Sequence, residues 1–265
     1  MPDIPARNIL LLNTLEEIEP FLLKENIEII ILKGAALIEL DIFDISEREM
    51  SDLDILLKEK DSKKFIKILK NIGFAEMPNS SSAFIKNIKE NFPPIIIDLH
   101  TYLPYIKNID ELFNEKIKIR NNIYSLSIPD IIIFSIVHSI LNHGYFDLKT
   151  KNDIKKIFEK YKTMKENLLT EISKKSEKLK ISKLIHKALL ECEIGNTKNK
   201  FNIKEFFLTP FINLAFKKHY NFNEYILPVF YTPSYAFKMI FPDREFMLKR
   251  YGSDSLKIRI KRFLK

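Results

Sequence analysis

Apolar and polar positions along this chain follow two periods, one near 3.6 residues and one near two, and the switches between them mark its elements. The stretch from Leu15 to Lys24 has helical spacing, and Thr14-Leu15-Glu16-Glu17 before it has the form of a capping box; Asn26 ends it. Ile27 to Leu32 is apolar, β-branched and too short for a typical helix, so it predicts a buried strand. Leu53 to Leu57 and Ile95 to Leu99 predict two more. Between them, Asp41 to Met50 is a polar loop, and Asp61 to Ile72 is a helix closed by Gly73. Asn79 to Ser82 is a loop, and Ala83 to Lys89 fits strand and helix equally. Ile109 to Glu115 is a short helical stretch, and Ile117 to Leu126 holds one or two strands.

Beyond that point the period becomes helical and stays so. Ser127-Ile128-Pro129-Asp130 has the look of a helix start, leading into an apolar helix from Ile131 to Asn142. Helices are expected over Lys151 to Tyr161, Leu168 to Leu179, Ile181 to Cys192, Ile203 to His219 and Glu224 to Phe237. Ile240 to Glu245 resembles a helix entry, and Ser255 to Lys265 a basic amphipathic helix. Strands followed by helices make the fold class α+β, a mixed α/β sheet with a helical C-terminal region.

Composition narrows the class. The 265 residues are 46% hydrophobic and 29% charged, enough for a buried core and unlike a disordered chain. A net charge of +8 favours anionic partners such as nucleotides or nucleic acid, although a solvated Lys-rich surface is the commoner origin of such a surplus. The single Cys192 rules out an internal disulfide and fits a reducing compartment. The longest apolar run, Ile131 to Leu141, is too short to span a bilayer, and the start of the chain does not resemble a signal peptide. The expectation is a soluble, cytoplasmic protein with no membrane span; its oligomeric state is left open.

The candidate chemistry lies at strand ends. In a strand, residues i and i+2 share a face, so Asp52 and Asp54 should point together, with Leu53 and Ile55 packed behind. Like charges side by side call for a cation between them, and carboxylates suit Mg²⁺ or Mn²⁺. Asp98, in the apolar run Ile95 to Leu99, is costly to bury without a partner, and a metal shared with Asp52 and Asp54 would supply one. Upstream, Lys33-Gly34 follows one strand and opens a helix, a turn that suits phosphate. Arg48 is either a surface ion-pair former or a phosphate-facing cation. Together these residues compose a two-metal nucleotidyl-transfer site, with no protein nucleophile required. His138, His143 and Asp153 are a weaker metal candidate, because nothing nearby completes a ligand set.

At these positions the chain resembles the polymerase-β-like nucleotidyltransferase superfamily, and within it an uncharacterised nucleotidyltransferase-like branch. The matching residues are Leu32-Lys33-Gly34 through Leu37, Arg48, Asp52-Leu53-Asp54-Ile55-Leu56 and Ile97-Asp98-Leu99-His100. His138, His143, Asp153 and the segment Phe241 to Tyr251 follow the same branch more weakly. The resemblance implies a nucleotidyltransferase-fold mixed β-sheet flanked by helices over residues 1–127, and a helical domain over 128–265. It implies Asp52, Asp54 and Asp98 as catalytic metal ligands, an NTP substrate with ATP as the expected donor, and Mg²⁺ or Mn²⁺ as cofactor. One departure stands out: the superfamily's Gly-Ser is Gly34-Ala35 here, so Lys33, Arg48 or Ser51 would take over the hydroxyl's role at the phosphates. The acceptor is undefined and could be a small molecule, a protein or an RNA. A toxin-like nucleotidyltransferase of a toxin–antitoxin pair and a non-catalytic nucleic-acid- or partner-binding module are the alternatives.

Overall fold

The computed structural model describes residues 3–78, 80, 82–88, 92–103, 105–106, 108–195 and 209–216. The expected helices over 224–237 and 255–265, the entry at 240–245 and the Phe241 to Tyr251 segment lie outside the described residues. The described chain forms two compact units, one of residues 3–103 and 108–126, the other of 105–106, 127–195 and 209–216.

The first unit opens with α1 (Ile4–Glu25), which has Pro5 in its first turn, where a missing N–H is harmless. Leu11, Leu15, Ile18 and Leu22 form its buried stripe, each fully removed from solvent and worth about 1.5–3 kcal/mol in burial. Asn26 ends the helix in the left-handed region at φ 51°. The expected capping box is not one. Thr14 lies inside α1, and its hydroxyl donates to the Leu10 carbonyl at 3.0 Å. Pro5 and the apolar residues before Thr14 extend the helix back by almost three turns, and a four-residue pattern cannot outweigh that.

The strands are β1 (Ile29–Ile31), β2 (Leu53–Leu57), β3 (Ala75–Glu76), β4 (Ala83–Lys86), β5 (Ile95–His100), β6 (Ile117–Arg120) and β7 (Ile123–Ser125). They make one mixed sheet in the order β3-β4-β5-β2-β1-β7-β6. β2 and β5 are parallel, as are β1 and β7, while β1 and β2 are antiparallel. The ambiguous segment from Ala83 is a strand because it finds a partner: Phe84 pairs with Ile97 and Ile85 with Ile96. β3 escapes the hydrophobic pattern because both of its residues are exposed. The helices of this unit are α2 (Lys33–Glu39), α3 (Glu59–Asn71) and α4 (Asp110–Asn114). α3 packs against α1, burying Phe65, Ile68 and Leu69, and Gly73 just past its end takes φ +91°, the conformation glycine adopts without penalty.

The second unit is helical: α5 (Ile128–His143), α6 (Leu148–Lys160), a 3-10 turn over Lys162–Met164, α7 (Lys165–Leu179), α8 (Ser182–Glu191) and α9 (Thr209–Ala215). α5 packs against α6, α7 and α8. Its core residues run almost all round the helix, from Ile131 to Leu141, as expected of a helix inside a bundle. Ser127 caps it, accepting the Asp130 N–H. Burial pushes the Cys192 thiol up to about 12, an inert core group rather than a nucleophile.

Candidate active site

The parallel pairing of β2 with β5 sets Asp54 directly opposite Asp98. In a parallel pair, residues in register point to the same face, so the two carboxylates lie side by side. Along β5 exposure alternates: Ile95, Ile97 and Leu99 are buried, while Ile96, Asp98 and His100 are partly open. His100, two residues past Asp98, is therefore on the same face. Its Nε2–H donates to Asp54 Oδ1 at 3.0 Å, and the same nitrogen lies 3.7 Å from Asp98 Oδ2. Ser82 donates its hydroxyl to Asp98 Oδ1 at 2.7 Å.

Lys33 completes the group. It follows β1 and opens α2, and the Leu32 N–H donates to the Asp54 carbonyl at 3.0 Å, tying this turn to β2. Lys33 itself has φ 49°, a left-handed conformation that a side chain disfavours by about 1–2 kcal/mol. Its ammonium pairs with Asp54 Oδ1 at 2.7 Å. The Asp54 side chain is only 2% exposed, against 32% for Asp98, so the deeply buried acid is Asp54 and not Asp98 as expected. Burial alone would raise the Asp54 carboxyl. The His100 hydrogen bond and the Lys33 charge outweigh burial and hold it at about 2, so it is an anion throughout the neutral range.

The other expected site residues are placed differently. Asp52 precedes β2, so strand alternation does not reach it. It accepts the Ser51 hydroxyl at 2.8 Å and acts electrostatically on Arg7. Among the described residues, Asp54, Asp98 and His100 are the set of metal-type ligands whose donor atoms all lie within 4.8 Å of one another; Asp52 is not in it, nor do His138, His143 and Asp153 form such a set. The side of Gly34 where a Cβ would project is filled by the following loop. A Cβ there would meet the Arg48 guanidinium and, at 2.7 Å, Met50 Cγ. The missing side chain admits the loop, and Arg48 is a buried brace against the turn.

That loop is held from a distance. Asn8 donates from Nδ2 to the carbonyls of Ile45 and Arg48, at 2.7 and 2.8 Å, and its Oδ1 accepts the Met50 N–H at 3.1 Å. Arg7 donates to the Ser51 carbonyl at 2.8 Å and to that of Pro93 at 3.1 Å. One turn of α1 thus fixes the approaches to both β2 and β5. The sequence does not point to Arg7 or Asn8, since nothing local ties them to residues 37 to 86 positions away. His100 was visible as the i+2 neighbour of Asp98, yet carried no role in the expected site.

A seven-stranded mixed sheet flanked by helices places the protein in the nucleotidyltransferase-like α+β class. The chain belongs to the uncharacterised nucleotidyltransferase family, whose model matches residues 3–194. Searches of curated proteins and of solved structures gave no match. Among the described residues no helix is long and apolar enough to cross a membrane.

Proposed function

We propose that the protein is a divalent-metal-dependent nucleotidyltransferase. It moves a nucleoside monophosphate from an NTP, with ATP the first candidate, onto a hydroxyl of a small molecule, a protein or an RNA, breaking the α–β phosphoanhydride bond and releasing pyrophosphate. The observation that carries this reading is the side-by-side pairing of Asp54 and Asp98 on adjoining strands of a nucleotidyltransferase-family chain. The donor set fits a divalent ion: two carboxylates, one permanently ionised, on a rigid pair of strands. Bound there, Mg²⁺ or Mn²⁺ would neutralise the polyphosphate and polarise the attacking hydroxyl.

The chain's own residues supply the rest. Asp54 and Asp98 would hold the ion, and Asp52, whose Oδ1 accepts the Ser51 hydroxyl, would join them through its other oxygen. Lys33 now neutralises Asp54; once Asp54 has another counter-charge, the ammonium is available to a phosphate oxygen. Gly34 and Arg48 keep the turn in place, and Ser51 sits exposed beside Asp52. The proposed division assigns residues 1–127 to catalysis and 128–265 to a helical domain. An NTP donor and a buried thiol at Cys192 suit a cytoplasmic setting.

The test is transfer of label from α-labelled NTPs, with Mg²⁺ or Mn²⁺, onto the protein itself or onto RNA, protein and metabolite fractions. Transfer by the wild type that Asp54→Asn and Asp98→Asn both abolish is the expected result. If no common NTP binds and no label moves, the reading is wrong.

A further inference from the structure

Resting on that reading, we propose that His100 is the third ligand of the ion, through Nε2, and that the site therefore prefers Mn²⁺ to Mg²⁺. The argument is geometric. Ligand atoms held at about 2.1 Å around one ion stand roughly 3.0–3.4 Å from each other. The His100 Nε2 distances to Asp54 Oδ1 and Asp98 Oδ2, 3.0 and 3.7 Å, bracket that spacing. All three donors project from one face of two paired strands, with Asp54 opposite Asp98 and Leu56 opposite His100, so backbone register and not side-chain chance brings them together.

Lys33 already neutralises Asp54 at 2.7 Å, on the same oxygen that His100 reaches. What His100 adds to two carboxylates is a nitrogen donor. Mg²⁺ demands oxygen and keeps its waters, whereas imidazole suits transition metals. In this structure Nε2–H hydrogen-bonds Asp54 Oδ1; a ligating Nε2 carries no hydrogen, so the ligand form is the Nδ1–H tautomer.

Pulsed EPR of Mn²⁺ bound to the full chain reads this directly, because a coordinated imidazole couples its ¹⁴N to the manganese spin. The expected wild-type result is ¹⁴N coupling, lost in His100→Gln and in His100→Ala. Calorimetry should show Mn²⁺ binding weakened by at least about tenfold in both variants, with Mg²⁺ binding changed much less. Mn²⁺ bound in an Asp54-dependent way without ¹⁴N coupling in the wild type would leave the transferase reading standing and overturn the role of His100. Coupling that persists in both His100 variants would also overturn it, since the nitrogen would then come from elsewhere. Failure of the wild type to bind either ion would overturn both readings.

Discussion

Wholly or partly buried carboxylates occur in both units, and they are used in different ways. In the helical unit, Asp147 accepts the Thr150 N–H at 2.7 Å and caps α6. It also lies 2.7 Å from the Ser139 hydroxyl, which accepts the Asp147 N–H at 3.1 Å. Asp130 sits in the first turn of α5, bonded by Ser127 and paired with Lys175 at 2.7 Å. Asp147 serves the backbone directly, while Asp130 is held by side chains and meets the backbone through its cap, Ser127. In the sheet unit, Asp54 and Asp98 receive only side-chain donors among the described residues: Lys33, His100 and Ser82. A carboxylate that satisfies a helix end cannot leave it without exposing orphan N–H groups. One held by an ammonium and an imidazole can exchange those partners for an ion. The difference separates acids that hold the fold together from acids available for chemistry, although each kind has a buried member, Asp130 in one and Asp54 in the other.

The largest expected effect tests that separation. Asp54→Asn and Asp98→Asn should each lower nucleotidyl transfer by about 10²–10³-fold or more, Asp52→Asn by less, and Asp147→Asn hardly at all. Rates measured alongside thermal melts decide it; equal losses for Asp147 and Asp54 would erase the distinction. Next in size is Gly34→Ala, whose Cβ meets Arg48 and Met50. Overpacking of this kind destabilises by about 1–3 kcal/mol, and urea unfolding should show it.

The third prediction concerns pH. Asp54 is held at about 2, below its ordinary value of 3.8. A depressed carboxylate contributes stability that is present above the unfolded-state value and lost as pH falls through the folded one. The wild type should therefore lose about 2 kcal/mol from this group between roughly pH 4 and pH 2. Asp54→Asn should show a shallower decline over the same window, measured by denaturant unfolding at each pH. The smallest effect is Asp147→Ala, which removes a helix cap and should lower stability by about 1 kcal/mol with transfer activity intact. If activity fell with it, the helical acid would have a role beyond structure.

Much of this fold is legible in the order of residues. Leu53 to Leu57 reads as a strand and is one. Asp61 to Ile72 reads as a helix closed by Gly73, and α3 ends there. Ser127 with Pro129 signals the start of α5 because capping is a local hydrogen-bond matter. The failures are also local in kind. Thr14 matched a capping pattern inside a longer helix, and β3 offered two exposed residues with no pattern at all. Asp52 lies one position before β2, where alternation alone does not fix a face.

What the amino-acid order determined by itself was the set of elements and the i, i+2 placement of Asp98 with His100, because period and capping depend on neighbours in the chain. Only the tertiary structure decided which residues meet. Register between β2 and β5 put Asp54 opposite Asp98, and a turn at Lys33 brought an ammonium to the same carboxylate. Asn8 and Arg7 held the loop that packs Arg48 onto Gly34. Those contacts join segments tens of residues apart, and hydrogen bonding and packing select them only once the sheet has formed.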